Sequence, residues 1–268
     1  MTQPSARFVG SIPEHYDKYL GPRLFDHYAA DLTARVVAES PGSVLELAAG
    51  TGIVSRCLRD ALAEDTTFIA TDLNPPMLAV AGNKFEPGEN VRFEAVDASS
   101  LPYGDASFDA VACQFGVMFF PDKSRAYEEV QRVLTPQGRY IFNVWGSWES
   151  NAFAQIAHEA VAPFFPDNPP GFYRVPFGYN DAALIQQALL AAGFSGVSIN
   201  EVNHESAIPS AAEFATGLVY GNPLIDEIHA QGGDPQVICD AVARAVDQRL
   251  GKNLSLQALV IEASKAGQ

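Results

Sequence analysis

Two glycines and an aspartate in the first hundred residues have the spacing to do chemistry. Val44, Leu45 and Leu47 form a short apolar run after Pro41-Gly42 and end in the small-residue turn Ala48-Ala49-Gly50-Thr51-Gly52. Ile53 to Leu62 then reads as a helix, giving strand, tight turn, helix. Gly50 and Gly52 carry no side chain to hold a ligand away, so backbone N–H groups at the helix start can approach a polar ligand. Asp72 ends the β-rich run Thr67-Phe68-Ile69-Ala70-Thr71 and follows Gly52 by 20 residues. At that distance an acidic side chain at the tip of a second strand accepts hydrogen bonds from ribose hydroxyls. Asp97 closes a third alternating run, Val91 to Val96. The pattern is that of a nucleotide-type ligand gripped by a glycine turn and the Asp72 carboxylate.

Other chemistries lack their residues. Cys57, Cys113 and Cys239 are an odd number with no close pairing, which excludes a disulfide framework and a cysteine zinc site. His204 and His229 have no Cys, His or carboxylate at ligand spacing, so no metal site is expected. His15, His27 and His158 read as packed or solvated side chains, and no general base is assigned. Asn74-Pro75-Pro76-Met77 is read as a helix start, since proline there costs no hydrogen bond.

The positioning elements follow the same rhythm. Ser107 to Cys113 is a fourth strand, leading into Gln114-Phe115-Gly116. Ser124 to Leu134 is an amphipathic helix stopped by Pro136-Gln137-Gly138, and Arg139 to Trp145 is a fifth strand. Strands alternating with helices imply a parallel sheet covered on both faces. Residues 146–180 break the rhythm with five prolines and many aromatics, and read as a helix and a loop over the strand ends. Trp145 and Tyr179 are candidates for an aromatic pocket, with Trp145 read first as core. Asp181 to Ala192 is a helix, Val197 to Ala207 a strand, Ser210 to Leu250 interrupted helix, and Leu254 to Ala263 a last strand. Ahead of the first strand lie a loose arm and an aromatic-rich helical segment.

At 268 residues the chain is one large domain or a domain with an insertion. Hydrophobic residues at 47% and charged residues at 18% are globular values. The net charge of -15, from 17 basic against 32 acidic residues, repels phosphate backbones and anionic bilayers, so nucleic acid and membrane-surface partners are not expected. No apolar run approaches membrane-spanning length, and the reading is a soluble, cytoplasmic protein without membrane insertion. The oligomeric state is not encoded in any recognisable pattern.

Four ordered blocks carry a family resemblance: Val44 to Gly52; Ala70 to Leu78; Val96-Asp97-Ala98 with Leu101-Pro102-Tyr103 and Ser107-Phe108-Asp109; and Arg132 to Gly138. Together they resemble class I S-adenosylmethionine-dependent methyltransferases, above all the small-molecule branch that includes the ubiquinone/menaquinone biosynthesis C-methyltransferases. The resemblance implies a Rossmann-like, doubly wound α/β fold: a mostly parallel seven-stranded sheet, its last strand antiparallel, helices on both faces and a partly helical cap. It divides the chain into an N-terminal helical arm (1–40) over the cofactor, an S-adenosylmethionine-binding core (41–145), and cap insertions with the last strands (146–268).

Position by position, the resemblance puts the methionine part of S-adenosyl-L-methionine against Glu46, Ala48, Gly50 and Gly52, with Thr51 in the same turn. Asp72 takes the ribose hydroxyls, Leu73 and Met77 flank the adenine, and Asp97 and Ala98 bond its edge. Gln114 lies beside the methionine moiety, Phe115 faces the substrate, and Tyr16 is a candidate to close over the cofactor. One position departs: Ala48 stands where the first glycine of the Gly-x-Gly-x-Gly turn is usual. The implied activity is methyl transfer to a small organic acceptor, and the aromatics of residues 146–180 point to an apolar or aromatic one. Two rivals remain, an NAD(P)-dependent oxidoreductase and a catalytically silent cofactor-binding module. Against the first, Ser55 occupies the third glycine position of the dinucleotide fingerprint.

Overall fold

The computed structural model describes residues 4–265. α1 (Ile12–His15) runs directly into a π-helical segment, Tyr16–Phe25, and α2 (Asp26–Val37). Pro22 lies inside the π-helical segment. A proline has no N–H and its ring crowds the carbonyl four residues back, and the wider π register absorbs both defects.

The central unit then alternates strand and helix: β1 (Ser43–Glu46), α3 (Ile53–Ala61), β2 (Thr67–Asp72), α4 (Pro75–Gly82), β3 (Arg92–Ala95), β4 (Phe108–Gln114), α5 (Lys123–Val133) and β5 (Leu134–Trp145). α4 opens on Pro75-Pro76, as read from sequence, and Asp122 caps α5 by accepting the Arg125 N–H at 2.9 Å. The cap and the remaining strands follow as α6 (Ala152–Val161), α7 (Ala182–Ala191), β6 (Phe194–Ala207), α8 (Ala211–Tyr220), α9 (Leu224–Ala230), α10 (Pro235–Arg249) and β7 (Asn253–Lys265).

The seven strands form one sheet in the order β3-β2-β1-β4-β5-β7-β6. β1 to β5 pair in parallel, and β7 is antiparallel to both β5 and β6. The expected doubly wound sheet and its antiparallel last strand are both present. One boundary differs. Pro136-Gln137-Gly138 does not separate helix from strand, because β5 starts at Leu134 and carries the tripeptide inside an irregularity of the β4 pairing between Phe108 and Ala110. A bulge tolerates the missing proline N–H that a regular ladder would not.

Alternation along the strands sends side chains to two cores. Val44, Ala110 and Ala112 pack with Leu32 and Val36 of α2 and with Val54 and Leu58 of α3. Leu45, Val111 and Cys113 face the other way, into a larger cluster that continues through Tyr127 and Val130 of α5 into Phe153, Phe214 and Val242 of the cap. The strand order reverses between β1 and β4. In open α/β sheets that reversal leaves a crevice beyond the strands' carboxyl ends, and the turn after β1, Asp72 of β2 and Gln114 of β4 all meet there.

Candidate active site

The turn after β1 holds a left-handed backbone at Ala48 (φ +51°), Gly50 (φ +57°) and Gly52 (φ +80°). Gly52 also lets two helices touch: a methyl placed on it would lie 2.8 Å from Ala81 Cβ of α4. The turn is fixed from β2, with the Ala49 N–H donating to the Thr71 carbonyl at 2.8 Å. The Gly50 N–H donates to Asp72 Oδ2 at 2.9 Å, and the Asn74 N–H donates to Asp72 Oδ1 at 2.7 Å. Burial pushes the Asp72 carboxyl up from its usual range, while the Asn74 and Gly50 amides pull it back. Oδ2 keeps acceptor capacity beyond its bond to Gly50, whereas Oδ1 also takes Asn74 Nδ2 at 3.2 Å.

A cavity of about 410 Å³ opens on this crevice. Ten of the thirteen sequence-expected residues line it: Tyr16, Ala48, Gly50, Asp72, Leu73, Met77, Asp97, Ala98, Gln114 and Phe115. Glu46, Thr51 and Gly52 stand behind the wall. Glu46 is 1% exposed and accepts the Ser55 hydroxyl at 2.6 Å, turned toward α3 rather than the cavity. Desolvation holds its carboxyl up at about 8. Thr51 is equally buried, and its hydroxyl has no hydrogen-bond partner among the described residues.

One end of the cavity is built from the β1, β2 and β3 loops. Leu73 and Met77 supply apolar faces there. Asp97 Oδ1 accepts from the Ser99 N–H at 2.8 Å and its hydroxyl at 2.7 Å, closing the loop after β3. Farther along that loop, Glu129 accepts the Leu101 N–H at 2.8 Å, and Arg132 donates to the Leu101 carbonyl at 3.0 Å and the Tyr103 carbonyl at 2.7 Å. The N-terminal arm covers this end. Asn74 Oδ1 accepts the Phe8 N–H at 3.3 Å, and its Nδ2 donates to the Ala6 carbonyl at 3.1 Å and to Asp72 Oδ1 at 3.2 Å. Tyr16 stacks on Phe25 at 4.8 Å, and burial beside Asp72 holds its hydroxyl protonated.

The other end is aromatic. Phe115 adopts φ +50°, a strained value for a bulky side chain, and donates its N–H to Asn143 Oδ1 at 2.9 Å. Its ring stacks on Trp145 at 3.9 Å, and Trp145 stacks on Phe177 of the cap at 5.7 Å. Trp145, read as core, is both 4% exposed and part of the cavity wall. Tyr179 is not in that wall; its hydroxyl pairs with Tyr127 at 3.0 Å. None of the five histidines lines the cavity, and His27 stacks on His204 at 3.6 Å instead. No group of three or more metal-ligating side chains occurs among the described residues. Phe8, Phe25, Phe172, Tyr173 and Asn222 line the cavity without having been assigned to it from the sequence, as does Asn74, which was read only as a helix start. The aromatic density of residues 146–180 was the one available signal, and it covers only Phe172 and Tyr173.

Comparison with known proteins agrees with this geometry. Residues 45–142 match the family described as methyltransferase domain. A demethylmenaquinone methyltransferase of Thermus thermophilus is 35% identical over 147 residues, which is 51% of this chain and 66% of that protein. One from Deinococcus radiodurans is 42% identical over 109 residues, 40% of this chain and 45% of the relative. The chain thus spans between about half and two thirds of the length of these relatives. Among solved structures, Haemonchus contortus phosphoethanolamine N-methyltransferase 2 in complex with S-adenosyl-L-methionine superposes with a TM-score of 0.61 at 15% identity, covering 94% of this chain and 56% of that one. The [4+2]-cyclase SpnF superposes with a TM-score of 0.54 at 20% identity, covering 91% and 82%. At such identities the superpositions establish the fold. Residues 45–142 are a methyltransferase domain, set in the seven-stranded sheet of the class I methyltransferase fold.

Proposed function

We propose that this chain transfers a methyl group from S-adenosyl-L-methionine to a small, apolar aromatic acceptor. The observation that carries the proposal is one continuous cavity with a carboxylate fastened to a glycine turn at one end and a wall of aromatic rings at the other. The donor set fits the cofactor. Asp72 offers acceptor oxygens to ribose hydroxyls, Leu73 and Met77 offer apolar faces to an adenine, and Asp97 and Ala98 border its edge. An acidic neighbourhood suits an ammonium and a sulfonium better than a pyrophosphate.

When bound, S-adenosylmethionine supplies an electrophilic methyl group, so no side chain has to enter the bond changes. The protein's part is orientation and exclusion of water. Alignment of this kind supplies as much as roughly 7–11 kcal/mol of a barrier. Phe115 and Trp145 wall the acceptor side, Gln114 sits at the junction, and the Asn74-held arm closes the ribose end.

Demethylmenaquinone, in the names of the relatives, supports a planar, quinone-like acceptor. No helix among the described residues is long and apolar enough to cross a membrane. The oxidoreductase rival gains nothing, since Ser55 is committed to Glu46 within α3. The cyclase superposition keeps a non-methylating use of the fold in view. Incubation with S-adenosylmethionine and a panel of hydroquinones, naphthols and aromatic amines decides between them. Acceptor-dependent release of S-adenosylhomocysteine is expected; tight cofactor binding without release across the panel would make the domain a binding module.

A further inference from the structure

The polar side chains of the aromatic end converge at one point. The Tyr173 hydroxyl donates to the Leu218 carbonyl at 2.7 Å, and Asn222 Nδ2 donates to the same carbonyl at 2.9 Å. Asn222 Nδ2 also lies 3.4 Å from the Tyr173 oxygen, and Asn222 Oδ1 accepts the Leu224 N–H at 3.0 Å. All three of Tyr173, Leu218 and Asn222 line the cavity. The pair is held in place from behind: Glu227 accepts the Gly171 N–H at 2.6 Å and the Phe172 N–H at 3.3 Å, fixing the turn that carries Tyr173 against α9.

Counting donors and lone pairs gives this cluster a direction. Both hydrogens of the Asn222 amide and the single hydrogen of the Tyr173 hydroxyl are committed, and the Leu218 carbonyl already takes two donors. What remains is one lone pair on Tyr173 Oη and one on Asn222 Oδ1, both acceptors. Burial holds the Tyr173 hydroxyl protonated, so this accounting does not change with pH in the working range. A hydroxyl or N–H carried against the aromatic rings themselves would be left unpaired, at the cost of its desolvation.

We propose that Tyr173 and Asn222 are the specificity-determining pair for the acceptor: they take a hydrogen-bond donor, a phenolic O–H or an N–H, on an otherwise apolar aromatic molecule and disfavour analogues lacking it. The inference rests on the methyltransferase reading, which supplies the division of the cavity into a cofactor end and an acceptor end.

The test is titration of the S-adenosylhomocysteine-saturated protein with 2-naphthol and with 2-methylnaphthalene, which has the same shape without the donor. The expected result is tighter binding of 2-naphthol by about tenfold, the range of one buried hydrogen bond. Water-to-hydrocarbon partition alone favours the methyl compound, so the preference cannot come from greasiness. In Tyr173→Phe the two probes should bind within about threefold of each other, the loss of one hydrogen bond, with S-adenosylhomocysteine affinity unchanged. Equal binding of the probes by the wild-type protein, failure of both to bind, or an undiminished preference in Tyr173→Phe would overturn the pair while leaving the cofactor site standing. If Tyr173→Phe fails to fold, the wild-type comparison decides alone. Absence of S-adenosylhomocysteine binding overturns the methyltransferase reading and this inference with it.

Discussion

Ala48 and Gly116 occupy one another's space: a methyl placed on Gly116 would lie 2.4 Å from Ala48 Cβ, inside any real carbon contact. The turn after β1 and the turn after β4 meet at this point, on either side of the strand reversal. A glycine is usual at position 48 in enzymes of the resembled family, and the methyl that this chain adds there is accommodated by the side chain missing from Gly116.

Gly116→Ala should therefore destabilise the fold by about 1–3 kcal/mol, the cost of overpacking a closed contact. Urea denaturation reads it. Ala48→Gly should recover part of the loss in the double variant, because a Gly116 methyl also meets Cys113 Sγ at 2.7 Å. Additive effects in the double-mutant cycle would show that the two turns do not share the space.

Glu46 gives stability an unusual pH slope. Its carboxyl is held up at about 8 by burial, so between about pH 4.5 and 8 the unfolded chain is ionised there while the folded chain holds the proton. The folded state then binds more protons, and stability falls as pH rises through that window. Glu46→Gln should flatten the decline in Tm across it. An unchanged slope would mean that Glu46 is ionised in the folded protein.

Asn74 ties the arm to the site, since one side chain bonds Ala6, Phe8 and Asp72. Asn74→Ala should speed tryptic cleavage after Arg7, followed by mass spectrometry, and weaken S-adenosylhomocysteine by roughly tenfold, the range of one or two hydrogen bonds. Unaltered cleavage would mean that the arm is held by its aromatic contacts alone, Phe8 with Tyr16 and Phe119.

What could be read in advance divides along the chain's own geometry. β1, its turn and α3 were legible because a short apolar run, two glycines and a helical stretch fall within twenty residues, Asp72 because it ends a β-rich run 20 residues after Gly52, and Asp97 through the family resemblance. Glu46 was read as a ligand contact, but alternation along β1 sends it to the α3 face, where Ser55 holds it. Of the cavity's far wall, Phe115 was given by the resemblance and Trp145 was a candidate. Phe25, Tyr173 and Asn222 come from three separated segments, and only tertiary packing brings them together. Nor does periodicity distinguish a buried aromatic that fills the core from one that walls a cavity, and Trp145 does both.

On the proposed function, Asp72 and the Gly50 turn hold the ribose end of S-adenosylmethionine. Calorimetric titration of the wild-type protein and of Asp72→Ala with S-adenosylhomocysteine, with NAD and NADP in parallel, tests it most directly. Micromolar or tighter binding of S-adenosylhomocysteine alone is expected, weakened by about a hundredfold in Asp72→Ala as charge-assisted bonds of roughly 1.5–3 kcal/mol are lost. Near-normal affinity in a folded Asp72→Ala protein, or preferential binding of a dinucleotide, would contradict it.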